Sequence, residues 1–335
     1  MAALAVASVA AVPMCVQAKP EKARVIISVG GKASFYHLPL TIAEQLGFFR
    51  DEGLDVKLDD HNGGAMALQA MLRGSADVVA GAYEHTISQQ LEKRDLQAFV
   101  MEGRTPQIAL GISAKALPDY KSLADLRGRR IGVSAPGSST NMVANVALSR
   151  VGLKPADVHY VGVGSAGGAI DALRSGQVDA LCNTDPVITM LEQKGELRVV
   201  LDTRTLKGTA QVFGGAMPSG CLYAPSAFLE KNPQTAQALA NGIVRSLKWL
   251  QTAGPSDIIR SVPEAYLLGD RALYLASFNR VHEAFSIDGL ITEEGAKVAL
   301  KALVSFDASV KTDKVDLSRT YTNVYARKAK DRFKA

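Results

Sequence analysis

One pattern occurs twice in this chain of 335 residues, and it limits the fold more than any single motif does. The first copy runs Gly63-Gly-Ala-Met-Ala-Leu-Gln-Ala-Met-Leu-Arg-Gly-Ser-Ala-Asp77-Val-Val. The second runs Gly167-Gly-Ala-Ile-Asp-Ala-Leu-Arg-Ser-Gly-Gln-Val-Asp179-Ala-Leu. Each opens on paired glycines, continues as a short apolar helix, stops at a glycine and places an Asp before an apolar strand. Gly74 and Gly176 fit helix stops, where the backbone needs positive φ. The copies lie about 100 residues apart, too far for a solenoid. They imply two similar α/β lobes, one starting near Arg24 and one near Ile108. The expected division is residues 19–107 plus 206–335 for the first lobe and 108–205 for the second, with the C-terminal helices packed back on the first.

The pattern between the copies fits that division. Arg24–Val29 and Leu54–Leu58 read as strands, Leu38–Leu46 and Ala65–Leu72 as helices, and Ala76–Ala80 as a third strand. Such a βαβαβ order implies a parallel sheet covered by helices. It resumes as strand Arg130–Ser134, helix Thr140–Val151, strand Val158–Val163, helix Ala169–Leu173 and strand Val178–Cys182. Beyond Pro225 the pattern is mostly helical, notably Thr235–Leu250 and Asp270–Phe285. The predicted architecture is α/β: two mostly parallel sheets flanked by helices, with a cleft between them.

Composition excludes several other classes. Apolar residues make up 47 % and charged residues 21 %, ordinary for a folded domain pair and unlike a disordered chain. Of the net charge of +5, Arg327, Lys328, Lys330, Arg332 and Lys334, less Asp331, supply +4. The charge is thus a C-terminal run, expected to be a solvated tail, and not the basic groove that nucleic acid needs. Residues 1–18 hold no charged side chain and end Val16-Gln17-Ala18, which reads as an export signal cleaved after Ala18. Met14 before Cys15 is too bulky for a lipoprotein signal. The expected location is periplasmic. Cys182 and Cys221 are too few for a disulfide framework and are expected as buried thiols, though export would permit their oxidation.

Ligands of open α/β sheets sit beyond the carboxyl ends of the strands. There this sequence places small, hydroxylic and aromatic residues: Ser34-Phe35-Tyr36-His37, Gly63-Gly64, Tyr83-Glu84-His85, Ser138-Ser139-Thr140, Ser165 and Asp185. Several open helices, where bare N–H groups and the helix dipole favour a small anion. Simple capping explains some of them, Asp185 in particular. Glu84 also fits a first-turn acid stabilised by the dipole. Gly162-Val-Gly164-Ser-Ala-Gly167 matches a dinucleotide fingerprint, with Asp185 near the ribose-binding offset, but it is a lone match in mid-chain. No catalytic or metal-binding motif occurs around the five histidines. No cofactor is expected.

Longer blocks resemble a known family. Leu38-Pro-Leu-Thr-Ile-Ala-Glu-Gln-Leu-Gly47-Phe48-Phe49-Arg-Asp-Glu-Gly53-Leu54-Asp-Val56 resembles a block of the nitrate/sulfonate/taurine-type substrate-binding proteins. These serve ABC importers and share a fold with thiamine-pyrimidine synthases. Asp125-Leu126-Arg-Gly128-Arg-Arg-Ile131-Gly132-Val133 resembles the family's entry into its second lobe, and Gly74-Ser-Ala-Asp77 and Gly176-Gln-Val-Asp179 its G-x-x-D elements. The resemblance spans residues 24–250. It implies a type II periplasmic-binding fold, no enzymatic activity, a monomer, and delivery of a small organic anion or heterocycle to a membrane permease. It also implies that Ser34, Phe35, Tyr36, Tyr83, Ser138, Ser139, Thr140 and Asp185 hold the ligand. Tyr36 and Tyr83, which follow strand ends in aromatic-rich loops, are expected to line it from the first lobe. The alternatives are a pyrimidine-related enzyme and a ligand sensor on the same fold. The yeast synthases' Cys-rich stretch and substrate-supplying His have no counterpart here.

Overall fold

The computed structural model describes residues 19–335, so the expected export signal lies outside the described residues. The strands are β1 (Arg24–Gly30), β2 (Asp55–His61), β3 (Val78–Ala82), β4 (Leu96–Met101), β5 (Ile108–Ser113), β6 (Arg130–Val133), β7 (His159–Gly162), β8 (Ala180–Thr184), β9 (Leu197–Asp202) and β10 (Gly220–Pro225). They form two five-stranded sheets, β2-β1-β3-β10-β4 and β7-β6-β8-β5-β9. β1 is parallel to β2 and β3, and β6 to β7 and β8. β10 runs antiparallel between β3 and β4, and β5 antiparallel between β8 and β9. Each lobe is therefore the predicted parallel βαβαβ unit plus two strands, one of them reversed.

The repeated pattern does the same work in both lobes. Its helices are Gly64–Leu72 and Gly167–Arg174. Gly74 and Gly176 follow them at φ 82° and 75°, and a side chain there would meet no neighbour. Their requirement is backbone conformation alone. Asp77 and Asp179 then latch the third parallel strand to the first. The Asp77 carboxylate accepts from the Ile26 N–H at 3.0 Å and that of Asp179 from the Arg130 N–H at 2.9 Å. In each case the Asp N–H donates back to the carbonyl of the same residue, at 2.9 and 2.8 Å.

Apolar burial fixes the lobes. Val25, Ile27 and Val29 of β1 and Phe99 of β4 pack under the helices Leu38–Gln45 and Pro233–Thr252 with Ile243 and Leu247. In the second lobe Ile170, Leu173, Leu181, Ile188 and Leu191 form the outer core. A third cluster runs across both lobes through Val79, Ile87, Leu110, Val143 and Met217.

Three expectations change. The helix Leu206–Phe213 packs on β9, so the second lobe continues beyond residue 205 and the chain returns after Gly214. The C-terminal helices do not all sit on the first lobe. Arg271–Val281 touches Val187–Gln193 of the second, and Glu293–Val304 touches helices of both, Glu84–Leu91 and Ser139–Ser149. The basic C-terminus is not a solvated tail. Residues Val324–Phe333 form a helix that buries Ala326 and Ala329 against Pro233–Thr252. Alanines three apart give it an apolar stripe. Its cations reach carboxylates, Arg332 to Glu52 at 2.8 Å and Lys330 to Asp288 at 2.9 Å.

Gly74→Ala and Gly176→Ala are each expected to cost about 1–2 kcal/mol in chemical denaturation, the penalty for a Cβ in left-handed backbone. A cost near zero would mean that the helix ends relax without that conformation.

Candidate functional site

The carboxyl ends of β1 and β3 face those of β6 and β8 across a cleft that is closed. Gly30, Ser34, Tyr36, His37, Gly64, Gly81 and Ala82 form one wall, and Ser134, Ser139, Thr140, Ser165 and Thr184 the other. The room between them is small, ≈ 20 Å³ for the centre of a water-sized molecule. That holds a water or a group of a few atoms.

Three polar contacts cross the cleft directly. The Phe35 N–H donates to the Asp185 carbonyl at 3.0 Å. The Ser138 hydroxyl oxygen accepts from the Ala65 N–H at 2.9 Å, so a residue of the second lobe caps a helix of the first. His85 Nε2 donates to the Gly137 carbonyl at 3.3 Å, while its Nδ1 accepts from the Tyr223 hydroxyl at 3.1 Å. Burial holds His85 neutral by lowering its pKa to about 4. Neutral imidazole suits this position, since one nitrogen must accept and the other donate.

Of the expected site residues, Ser34, Tyr36, Gly64, Ser139, Thr140 and Ser165 line the cavity together. The others take different positions. The Phe35 ring turns into the core, 4.5 Å from that of Tyr274 and 6.3 Å from that of Phe278. Tyr83 is fully buried, is not among the lining residues, and shares a 2.6 Å hydrogen bond between its hydroxyl and that of Thr320. Ser138 is spent on Ala65. The Asp185 carboxylate accepts from the Thr189 N–H at 2.8 Å and pairs with Arg204 at 3.3 Å. It is thus held inside the second lobe together with Asp202 and Glu192 around the same guanidinium. With Asp185 engaged there and Gly164 tied to Asn183 by a 2.9 Å bond, the dinucleotide-like run has become part of the closed cleft.

Two lining residues carry buried polar atoms that have no hydrogen-bond partner, Tyr36 Oη and Thr184 Oγ1. The Oε1 atom of Glu84 and both carboxylate oxygens of Glu102, which act on Tyr36 electrostatically, are likewise buried without one. Buried polar groups are nearly always paired, so such a cluster marks a place where water or ligand completes the bonding. Burial raises the Tyr36 phenol and, second, the negative charge of Glu84 raises it further. Burial, opposed by a hydrogen bond from its own backbone, pushes the Glu84 carboxyl up to about 7. Among the lining residues, sequence reasoning left out Gly30, His37, Gly81, Ala82, Ser134 and Thr184. All six stand at strand ends and were legible by the same rule. Glu102 and Gln107 lie where β4 passes into β5, strands the pattern did not resolve.

Glu84 and His85 oppose each other in pH dependence. Glu84, raised to about 7, stays protonated in the folded chain where the unfolded carboxyl (4.5) is ionised, so it removes stability as pH rises from 4.5 to about 7. His85, lowered to about 4 from 6.5, removes stability as pH falls through that range. Glu84→Gln is expected to leave only the second slope and to add on the order of 3 kcal/mol above neutral pH. An unchanged stability profile in denaturant titrations would contradict the burial of Glu84. Tyr83→Phe is expected to lose about 1 kcal/mol of stability with the Thr320 hydrogen bond, and to leave ligand affinity within about twofold. A large loss of affinity would return Tyr83 to the site.

Comparison with known proteins agrees with this geometry. A solved structure from Bordetella bronchiseptica RB50 is 55 % identical, covers 95 % of this chain and 100 % of its own, and superposes with a TM-score of 0.94. The alkanesulfonate-binding protein SsuA of Xanthomonas axonopodis pv. citri, solved with MOPS, is 17 % identical, covers 91 % and 99 %, and has a TM-score of 0.68. The periplasmic nitrate-binding protein NrtA of Synechocystis PCC 6803 is 14 % identical, covers 94 % and 90 %, and has a TM-score of 0.67. The last two show a shared fold. The sequence profile described as NMT1/THI5 like matches residues 34–255, and the chain belongs to that family.

Proposed function

We propose that this protein is the solute-binding component of an ABC importer, which takes a small organic molecule into the cleft between its lobes and hands it to a membrane permease. The carrying observation is the cavity itself, in which hydroxyls and unpartnered polar atoms of two separate sheets converge at their strand ends. A ligand bound there touches both lobes at once, so it favours the closed arrangement over an open one. The two chain crossings supply the hinge. Residues 103–107 and 214–219 run side by side, with the Ser219 N–H donating to the Gly103 carbonyl at 3.2 Å and the Ser219 hydroxyl to the Thr105 carbonyl.

Other features fit transport. No helix among the described residues is long and apolar enough to cross a membrane. The residues that line the cavity hold hydroxyls and a histidine but no nucleophile–base–acid arrangement. Sulfonate and nitrate, named for two of the similar structures, mark the size of ligand such a cleft can enclose. The present room suits the head of such a molecule, and a longer one holds the lobes further apart.

Ala135 provides a test that leaves the hydroxyls in place. Its methyl group lies 2.8 Å from the position a Cβ would take on Gly63 in the opposite lobe. Ala135→Phe is expected to wedge the lobes open, to increase the radius of gyration in X-ray scattering, and to lower affinity for any cleft ligand by at least about tenfold. Closed-state scattering with unchanged affinity would count against a clamp.

A further inference from the structure

A second pocket lies at the hinge and shares no lining residue with the cleft cavity. The first chain crossing gives it Met101, Gly103 and Arg104, and the second gives Ala216 and Pro218. Leu206 enters from the helix on β9, and the run 286–292 closes the other side with Ile287 and Leu290. The pocket offers ≈ 360 Å³ to the centre of a water-sized molecule, against ≈ 20 Å³ in the closed cleft. That is the room of a small-molecule site, and such sites combine apolar walls with a few placed polar groups.

One charge in this lining has no counter-charge. Arg104 is fixed at its root, where its backbone N–H donates to the Ala284 carbonyl at 2.8 Å and its Nε to the Glu283 carbonyl at 2.9 Å. Its guanidinium makes no ion pair among the described residues. Asp288, the acid in the lining, is already met by Lys330 at 2.9 Å and by the Leu290 N–H at 3.1 Å. The Glu283 carboxylate accepts from the Leu206 N–H at 2.8 Å. The cleft lining, by contrast, holds no Lys or Arg.

We propose that the hinge pocket binds a monocarboxylate with a compact apolar body. Its carboxylate pairs with the two terminal nitrogens of Arg104, the geometry in which a guanidinium holds an acid best. Its carbon skeleton lies against Met101, Leu206, Pro218 and Leu290, and burial there supplies the rest of the affinity.

The position gives such a ligand a further effect, which rests on the two-lobe clamp proposed above. The run 286–292 is tied to the first lobe: the Ser286 N–H donates to the Glu102 carbonyl and the Met101 N–H to the Gly289 carbonyl, both at 2.9 Å. Leu206 moves with the second lobe, because its helix packs on β9. A molecule that fills the space between them in the closed chain braces the hinge in that arrangement. It therefore strengthens binding in the cleft, since two ligands that favour one state raise each other's affinity.

The test is titration calorimetry of the chain, refolded to strip carried-over ligand, with 3-phenylpropionate and with the neutral 3-phenylpropionamide as its control. It is run on the native sequence, on Arg104→Gln and on Ala216→Phe, each checked for cooperative unfolding. Ala216 is exposed, so a ring there fills the pocket from its rim without entering the core. X-ray scattering with and without the carboxylate follows the lobes. The expected result is a dissociation constant below about 1 mM for the carboxylate, at least about tenfold weaker binding of the amide, and a loss of at least about tenfold in each variant. The radius of gyration of the native chain is expected to fall when the carboxylate is added. No binding at about 10 mM would overturn the proposal. Binding that survives both substitutions would overturn it as well, because the carboxylate then sits elsewhere, the cleft included. Binding lost in both variants with unchanged scattering would keep the site and overturn its effect on the lobes. The importer reading is untouched by these failures, since its ligand enters the other cavity.

Discussion

Where the lobes meet, a methyl group on Gly31 would stand 1.8 Å from the Ser165 hydroxyl, and one on Gly63 2.8 Å from the Ala135 methyl. Inside the first lobe, one on Gly30 would stand 2.3 Å from the Gly64 nitrogen. The close approach of the two lobes depends on this bare backbone. It lets the end of β1 and the start of the Gly64–Leu72 helix approach the second lobe closely enough for the Phe35–Asp185 and Ala65–Ser138 bonds. Gly63 of the repeat is then more than a helix start: with Gly31 it is bare surface through which one lobe touches the other, whereas Gly167 and Gly168 meet nothing of the first lobe.

Stability and binding draw on different parts of the same strands. Val25, Ile27 and Val29 bury their side chains under helices, and apolar burial there supplies the driving force for the first lobe. Just beyond, the strand ends carry hydroxyls, Tyr36 and the acids, several with no partner. Glu84 is the clearest case, held at a cost that Glu84→Gln would relieve. Such unmet bonding is what a cleft keeps available for a ligand. The Arg204 cluster shows the contrast: a fully buried cation is met by Asp185, Asp202 and Glu192, and fixes the cleft-facing loop that carries the Asp185 carbonyl.

Much of this was legible in the residues. The repeat located both parallel βαβαβ units, the two glycine stops and the two latching aspartates. What the pattern did not resolve were β4, β5 and β9; Gly220-Cys-Leu-Tyr of β10 reads as an apolar strand-like run. β4 and β5 are buried almost throughout, so their sequences lack the alternation that marks a half-exposed strand. Within the site, strand-end position identified Ser34, Tyr36, Gly64, Ser139, Thr140 and Ser165, all of which the structure gathers at one cavity. It could not say where a side chain points. Phe35 and Tyr83 occupy cleft loops, yet their rings face the core, because Tyr274, Phe278 and Thr320 arrive there from distant segments. The basic C-terminus was misread for a related reason: Ala326 and Ala329 form a stripe that only the long Pro233–Thr252 helix makes meaningful.

The central claim is that two rigid lobes close over a ligand. The most direct measurement is a distance across them, by pulsed electron resonance between spin labels at Lys57→Cys beside the edge of one sheet and Lys154→Cys in the other lobe. Both positions are exposed, while the native Cys182 and Cys221 are buried. The account predicts a broad or long distance in the chain stripped of ligand and a narrower, shorter one with a compound that raises its unfolding temperature. One unchanged distance in both states would contradict it.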